Sequence, residues 1–220
     1  MGTTQPGAEN KKERRKKPKK EPATPLTEIP SSGLNADQNY GVHKGFEGAV
    51  LDAKSGYVLP YRFKIMTPEK TAEKKFPLFI VFHGVGRVGS NNSRQVSMGL
   101  PLVKELEQLK VNAIVVQPQT AAGWAQKKID GSKPVLASVA ELIDYFITDK
   151  PADPDRVYVL GKSMGFGGVL NMVFDYPEHL AAAVPVVGGA LHERAAEKSK
   201  LPTWMVTAEK NSRISIETCR

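Results

Sequence analysis

The sequence predicts an α/β protein: a mainly parallel sheet with helices on both faces. Three observations carry that prediction. Apolar runs of strand length alternate with stretches of helical periodicity. The spacing between successive runs is too long for hairpins, which implies right-handed βαβ crossovers. One apolar run, Val157-Tyr158-Val159-Leu160, leads directly into Gly161-Lys162-Ser163-Met164-Gly165, a turn that opens a helix. In sheets of this kind chemistry gathers beyond the carboxyl ends of the strands.

Residues 1–39 are rich in Pro, Lys, Glu, Thr and Ser and almost free of large apolar side chains. Such a segment buries too little surface to offset its ordering entropy, so residues 1–44 are assigned to a disordered basic tail and residues 45–220 to one domain. Phe46 to Leu51 and Tyr57 to Met66 read as strands joined by a turn at Ala53-Lys54-Ser55-Gly56. Pro60 within the second predicts an edge position or a bulge, because proline cannot donate to a ladder. Pro77 to Phe82 is continuously apolar, as a strand buried on both faces should be. Val96 to Lys110 has helical spacing, with Val96, Leu100, Val103, Leu106 and Leu109 mainly on one stripe; Pro101 interrupts its start, so the regular helix is expected to begin there with the proline in its first turn. Val111 to Val116 is a further buried strand, followed by a loop through Trp124. Pro134 to Ile147 predicts a helix with Val135, Val139, Leu142, Ile143 and Phe146 inward. The strand Arg156 to Leu160, the helix from Phe166 to Asp175, and the strands Ala181 to Val187 and Thr203 to Thr207 complete the pattern.

Composition narrows the possible functions. A chain of 220 residues, 40% apolar, suffices for one sizeable core. No segment approaches the roughly 18 apolar residues of a membrane span, and the start lacks the apolar core of an export signal. A cytoplasmic location is the default expectation. Cys219 is the only cysteine, so neither a disulfide framework nor a cysteine-built zinc site forms within one chain. Residues 11–20 (KKERRKKPKK) carry +7 of the net charge of +8, leaving the remainder close to neutral. That arm is suited to anionic surfaces, but it lacks the interleaved aromatics of a specific nucleic-acid binder.

A G-x-S-x-G run arises easily by chance; its place between a strand and a helix gives it meaning. A sharp strand-to-helix turn forces the apical serine into a strained, exposed position, which presents a weak hydroxyl nucleophile to substrate. The flanking Gly161 and Gly165 make room where a Cβ would collide with neighbouring backbone. Acyl transfer also needs main-chain N–H groups aimed at the oxyanion. Met164, just after the serine, can supply one. The loop His83-Gly84-Val85-Gly86, directly behind the strand ending at Phe82, can supply another through Val85.

From about Tyr57 to Lys210 the chain resembles the α/β-hydrolases of the carboxylesterase, predicted-peptidase and polyhydroxybutyrate-depolymerase-like group. The resemblance rests on PLFIVFHGVGRVGSNN from Pro77, Gln117-Pro118-Gln119 with Trp124, DPDRVYVLGKSMGFGG from Asp153, Tyr176-Pro177-Glu178, and Pro185 to Gly189. It implies Ser163 as nucleophile, Val85 and Met164 as oxyanion-hole donors, His83 as a brace for its loop, a small-molecule ester substrate, and neither metal nor organic cofactor. Lys162 is unusual beside the serine; it either assists an anionic intermediate or points to solvent. Trp124 either packs in the core or lines the cleft.

The C-terminal part departs from the group's pattern. Relatives carry an acid after a later strand and a histidine near the end. Here Asn211 stands at the acid's place, with Glu209 two residues away, and the nine residues after Asn211 contain no histidine. An amide cannot stabilise a forming imidazolium as a carboxylate does. His43 is expected to precede the domain, His179 to face solvent, and His192 to lie within reach of either cleft or surface. A C-terminally truncated hydrolase, a hydrolase with a rewired base and a catalytically impaired binding module are the three expectations left standing.

Overall fold

The computed structural model describes residues 41–67, 72–124, 135–188 and 200–209. Among them seven strands form one sheet: β1 (Val42–His43), β2 (Phe46–Asp52), β3 (Val58–Met66), β4 (Phe76–Phe82), β5 (Ala113–Pro118), β6 (Ala152–Lys162) and β7 (Ala182–Val186). The helices are α1 (Leu100–Gln108), α2 (Val135–Thr148) and α3 (Met164–Asp175). The strand order is β1-β2-β3-β5-β4-β6-β7. Neighbours from β1 to β5 pair antiparallel, and β5, β4, β6 and β7 pair parallel. The segment 202–206 runs beside β7 through two parallel bridges, Ala183 to Thr203 and Val186 to Val206. The expected tail of residues 1–39 lies outside the described residues.

Strand periodicity sends alternate side chains to two cores. Leu78, Ile80, Phe82, Ile114 and Val116 pack with Leu136, Val139, Ile143, Phe146, Val169 and Met172 of α2 and α3. Val81, Ala113 and Val115 pack on the other face with Val96, Val103 and Leu106. Helices therefore cover both faces, and every residue of β5 is buried. Among the described residues no helix is long and apolar enough to cross a membrane.

The structure corrects three expectations. Pro60 is not on an edge strand: it pairs with Val50, and β3 lies between β2 and β5. Its tolerance has a local cause, because the β3–β5 ladder begins only at Tyr61, and the Pro60 carbonyl faces the chain beyond β5, accepting the Gln119 N–H at 2.8 Å. Leu109 is exposed rather than inward, since α1 stops at Gln108. The regular helix does begin at the proline, as expected: α1 carries Pro101 in its first turn, and Val96 lies in a preceding 3-10 turn, Arg94–Met98. His43 belongs to the sheet, in β1.

Candidate active site

The parallel strands β4, β5, β6 and β7 end on one rim of the sheet, and the segments that leave them carry the candidate residues. At the end of β6 the chain turns at Ser163 with φ 60° and ψ −117°, then enters α3 at Met164. A positive φ at a residue with a Cβ is strained, by about 1–3 kcal/mol. The surroundings hold it there. The Ser163 N–H is shared between Val186 O and Val187 O at 3.1 and 3.2 Å, which ties the turn to the end of β7.

Both glycines beside the serine are sterically required. A Cβ on Gly161 would lie 2.3 Å from Gly165 O, and one on Gly165 would lie 2.6 Å from Phe82 O. Residues larger than glycine would push α3 away from the ends of β4 and β6. Ser163 and Lys162 are both exposed, and the Ser163 side chain stands outside the core.

The second loop meets this turn. A Cβ on Gly84 would lie 3.3 Å from Lys162 O and 3.5 Å from Ser163 Cβ, so the His83-Gly84-Val85 backbone touches the serine turn. Val85 opens a 3-10 turn, Val85–Arg87, closed by Arg87 N–H to Gly84 O at 3.0 Å and Val88 N–H to Val85 O at 3.3 Å. Among the described residues neither the Val85 N–H nor the Met164 N–H has an acceptor. The first N–H groups of any helical turn lack an internal partner, so both turns offer donors beside Ser163.

His83 is fully buried, and its ring is committed on both sides. Nε2 accepts the Thr120 N–H at 3.1 Å, and Nδ1–H donates to Gly84 O at 3.0 Å. Burial pushes its pKa down to about 4, with the Gly84 carbonyl opposing and the Arg87 charge adding to the fall. A neutral ring fixed in one tautomer holds Gly84 in place. Trp124 completes this packing: it is buried, its Nε1–H donates to His83 O at 2.9 Å, and its ring meets Phe82 edge-on at 4.7 Å.

No described histidine reaches Ser163 as a base. His83 has no free nitrogen. His43 lies five strand spacings away, roughly 24 Å at about 4.8 Å each. His179 follows the far end of α3, roughly 18 Å along at 1.5 Å per residue, where Nδ1 is 3.3 Å from Asp144 Oδ1. Glu209 is exposed beyond the 202–206 segment. Asn211 and His192 lie outside the described residues. Sequence reasoning gave no role to the buried polar residues Asn92, Gln95, Gln117, Gln119 and Thr120, each with 0% exposure, although Asn92, Gln117 and Gln119 lie in the stretches that carry the resemblance.

The parallel sheet, its crossovers and the strand-turn-helix at Ser163 make this an α/β-hydrolase fold. Solved structures with the same fold include a thermostable esterase, 25% identical with a TM-score of 0.67 over 80% of this chain and 50% of that one. An acetyl xylan esterase from Aspergillus awamori is 19% identical with a TM-score of 0.51, covering 66% of this chain and 52% of its own. An S-formylglutathione hydrolase from Staphylococcus aureus is 17% identical with a TM-score of 0.51, covering 67% and 58%. The chain thus spans about half the length of the thermostable esterase. No family model and no curated protein matches the sequence.

Proposed function

We propose that this chain is a serine hydrolase of carboxylic esters, acting through an acyl-enzyme on Ser163. One observation carries the reading: an exposed serine at φ 60° stands against a loop whose Val85 N–H, like that of Met164, has no acceptor among the described residues. In the proposed reaction Ser163 Oγ attacks the ester carbonyl carbon, and the N–H groups of Val85 and Met164 donate to the oxygen that becomes negative. Collapse of the tetrahedral intermediate releases the alcohol, which leaves with the proton lost by the serine hydroxyl. Water then cleaves the acyl-serine, yielding a carboxylic acid and restoring the hydroxyl. Each such donor typically accounts for about 10²–10³ in kcat. The names of the thermostable esterase and the acetyl xylan esterase support an ester as the substrate class.

A second reading, a binding module on the same fold, is favoured by one fact. Among the described residues no imidazole faces Ser163. Release of p-nitrophenol from p-nitrophenyl acetate and butyrate separates the two. The hydrolase reading expects a burst or turnover from the chain and none from Ser163→Ala; equal background rates for both would leave only the module.

A further inference from the structure

The residues that end and follow β5 grip the loop between β4 and α1 along its length. Gln117 Oε1 accepts the Gly99 N–H at 2.7 Å. Gln119 Oε1 accepts the Asn92 N–H at 2.6 Å, while its Nε2 donates to Arg87 O at 3.1 Å and Asn91 Oδ1 at 3.0 Å. Thr120 O accepts the Gly89 N–H at 3.0 Å.

Gln95 Oε1 and Gln117 Nε2 are buried without a partner among the described residues, and each such atom costs about 1–3 kcal/mol. Apolar packing would avoid that cost, but it cannot fix the direction of a carbonyl. Gln119 does so at Arg87, the last residue of the 3-10 turn that begins at Val85. The Val85 N–H shares its peptide plane with Gly84 O, which accepts the Arg87 N–H at 3.0 Å, so a contact that fixes Arg87 bears on that donor through the turn.

We propose that Gln119 is a positioning residue: it aims the Val85 N–H at the oxyanion by anchoring Arg87 O. This rests on Ser163 being the nucleophile. The wild-type chain, Gln119→Glu and Gln119→Leu are compared by their phosphonylation kinetics with a small neutral alkyl fluorophosphonate, and by amide hydrogen exchange. The glutamate variant keeps the shape and the bond from Asn92 N–H, but its carboxylate cannot donate to Arg87 O. Both variants are expected to lower the maximal labelling rate roughly ten- to hundredfold, at an unchanged half-saturating probe concentration. Exchange is expected to quicken at Arg87, Val88 and Gly89 while Ile114 to Val116 keep their protection. Wild-type labelling rates in both variants would overturn the proposal, as would a loss matched by exchange spreading through β5. A wild-type chain that does not label would instead remove the Ser163 reading, and this inference with it.

Discussion

Ser163 holds a conformation that costs about 1–3 kcal/mol, and the chain keeps it by removing every Cβ that would obstruct the turn. Two consequences follow at this scale. Ser163→Gly should raise stability by roughly 1 kcal/mol, because glycine adopts a positive φ without penalty. Gly165→Ala should lower it by about 1–3 kcal/mol, because its methyl would meet Phe82 O at 2.6 Å. Urea unfolding midpoints check both. His83 gives a pH signature. Its folded pKa of about 4 lies below the unfolded value near 6.5, so the unfolded chain binds the proton more readily. The ring's contribution is fully present above pH 6.5 and falls away between about 6.5 and 4, by on the order of 3 kcal/mol. The difference in pH dependence between the wild type and His83→Gln, from denaturant titrations, should show that loss in the wild type alone.

At the scale of elements, Trp124 joins the β5 loop to β4 and α3. It packs on Phe82, donates to His83 O, and accepts from Asn171 Nδ2 through its own carbonyl at 3.0 Å. Trp124→Ala should cost about 3–5 kcal/mol, and Trp124→Phe about 1–3 kcal/mol through the lost bond to His83 O. Thermal and urea unfolding would read both, and a Trp124→Phe variant as stable as the wild type would mean that the indole N–H contributes nothing. These elements differ in how far they were legible. The helix α2 and the strands β4, β5 and β6 were visible because burial imposes a period on apolar residues. Leu109 misled because its spacing continued a stripe past the point where the helix ends. Pro60 misled because the rule concerns a missing N–H, and only the strand register shows where that N–H would have pointed. The Gln119 contacts were not legible, although Gln117-Pro118-Gln119 stood out as part of the resemblance. They join polar residues about 30 positions apart in the chain, and polar loop residues carry no periodicity.

Over the whole molecule, the parallel half of the sheet decides where the site lies. Because β4, β5, β6 and β7 run in one direction, the His83 loop, the Thr120 loop, Ser163 and Val187 all emerge at the same rim. Glycine contacts, and not long side chains, let the first and third of these touch. The pairing of Ser163 with Val85 and Met164 was suggested by motif and order along the chain; the contact between their loops needed the sheet order, in which β4 lies beside β6. The fold depends on close backbone approach, and the proposed chemistry depends on what that approach leaves exposed. The most direct test is intact mass with peptide mapping after treatment with a small alkyl fluorophosphonate. A single adduct on Ser163 that is absent from Ser163→Ala is the predicted result; an unmodified chain, or equal modification of both proteins, would contradict it.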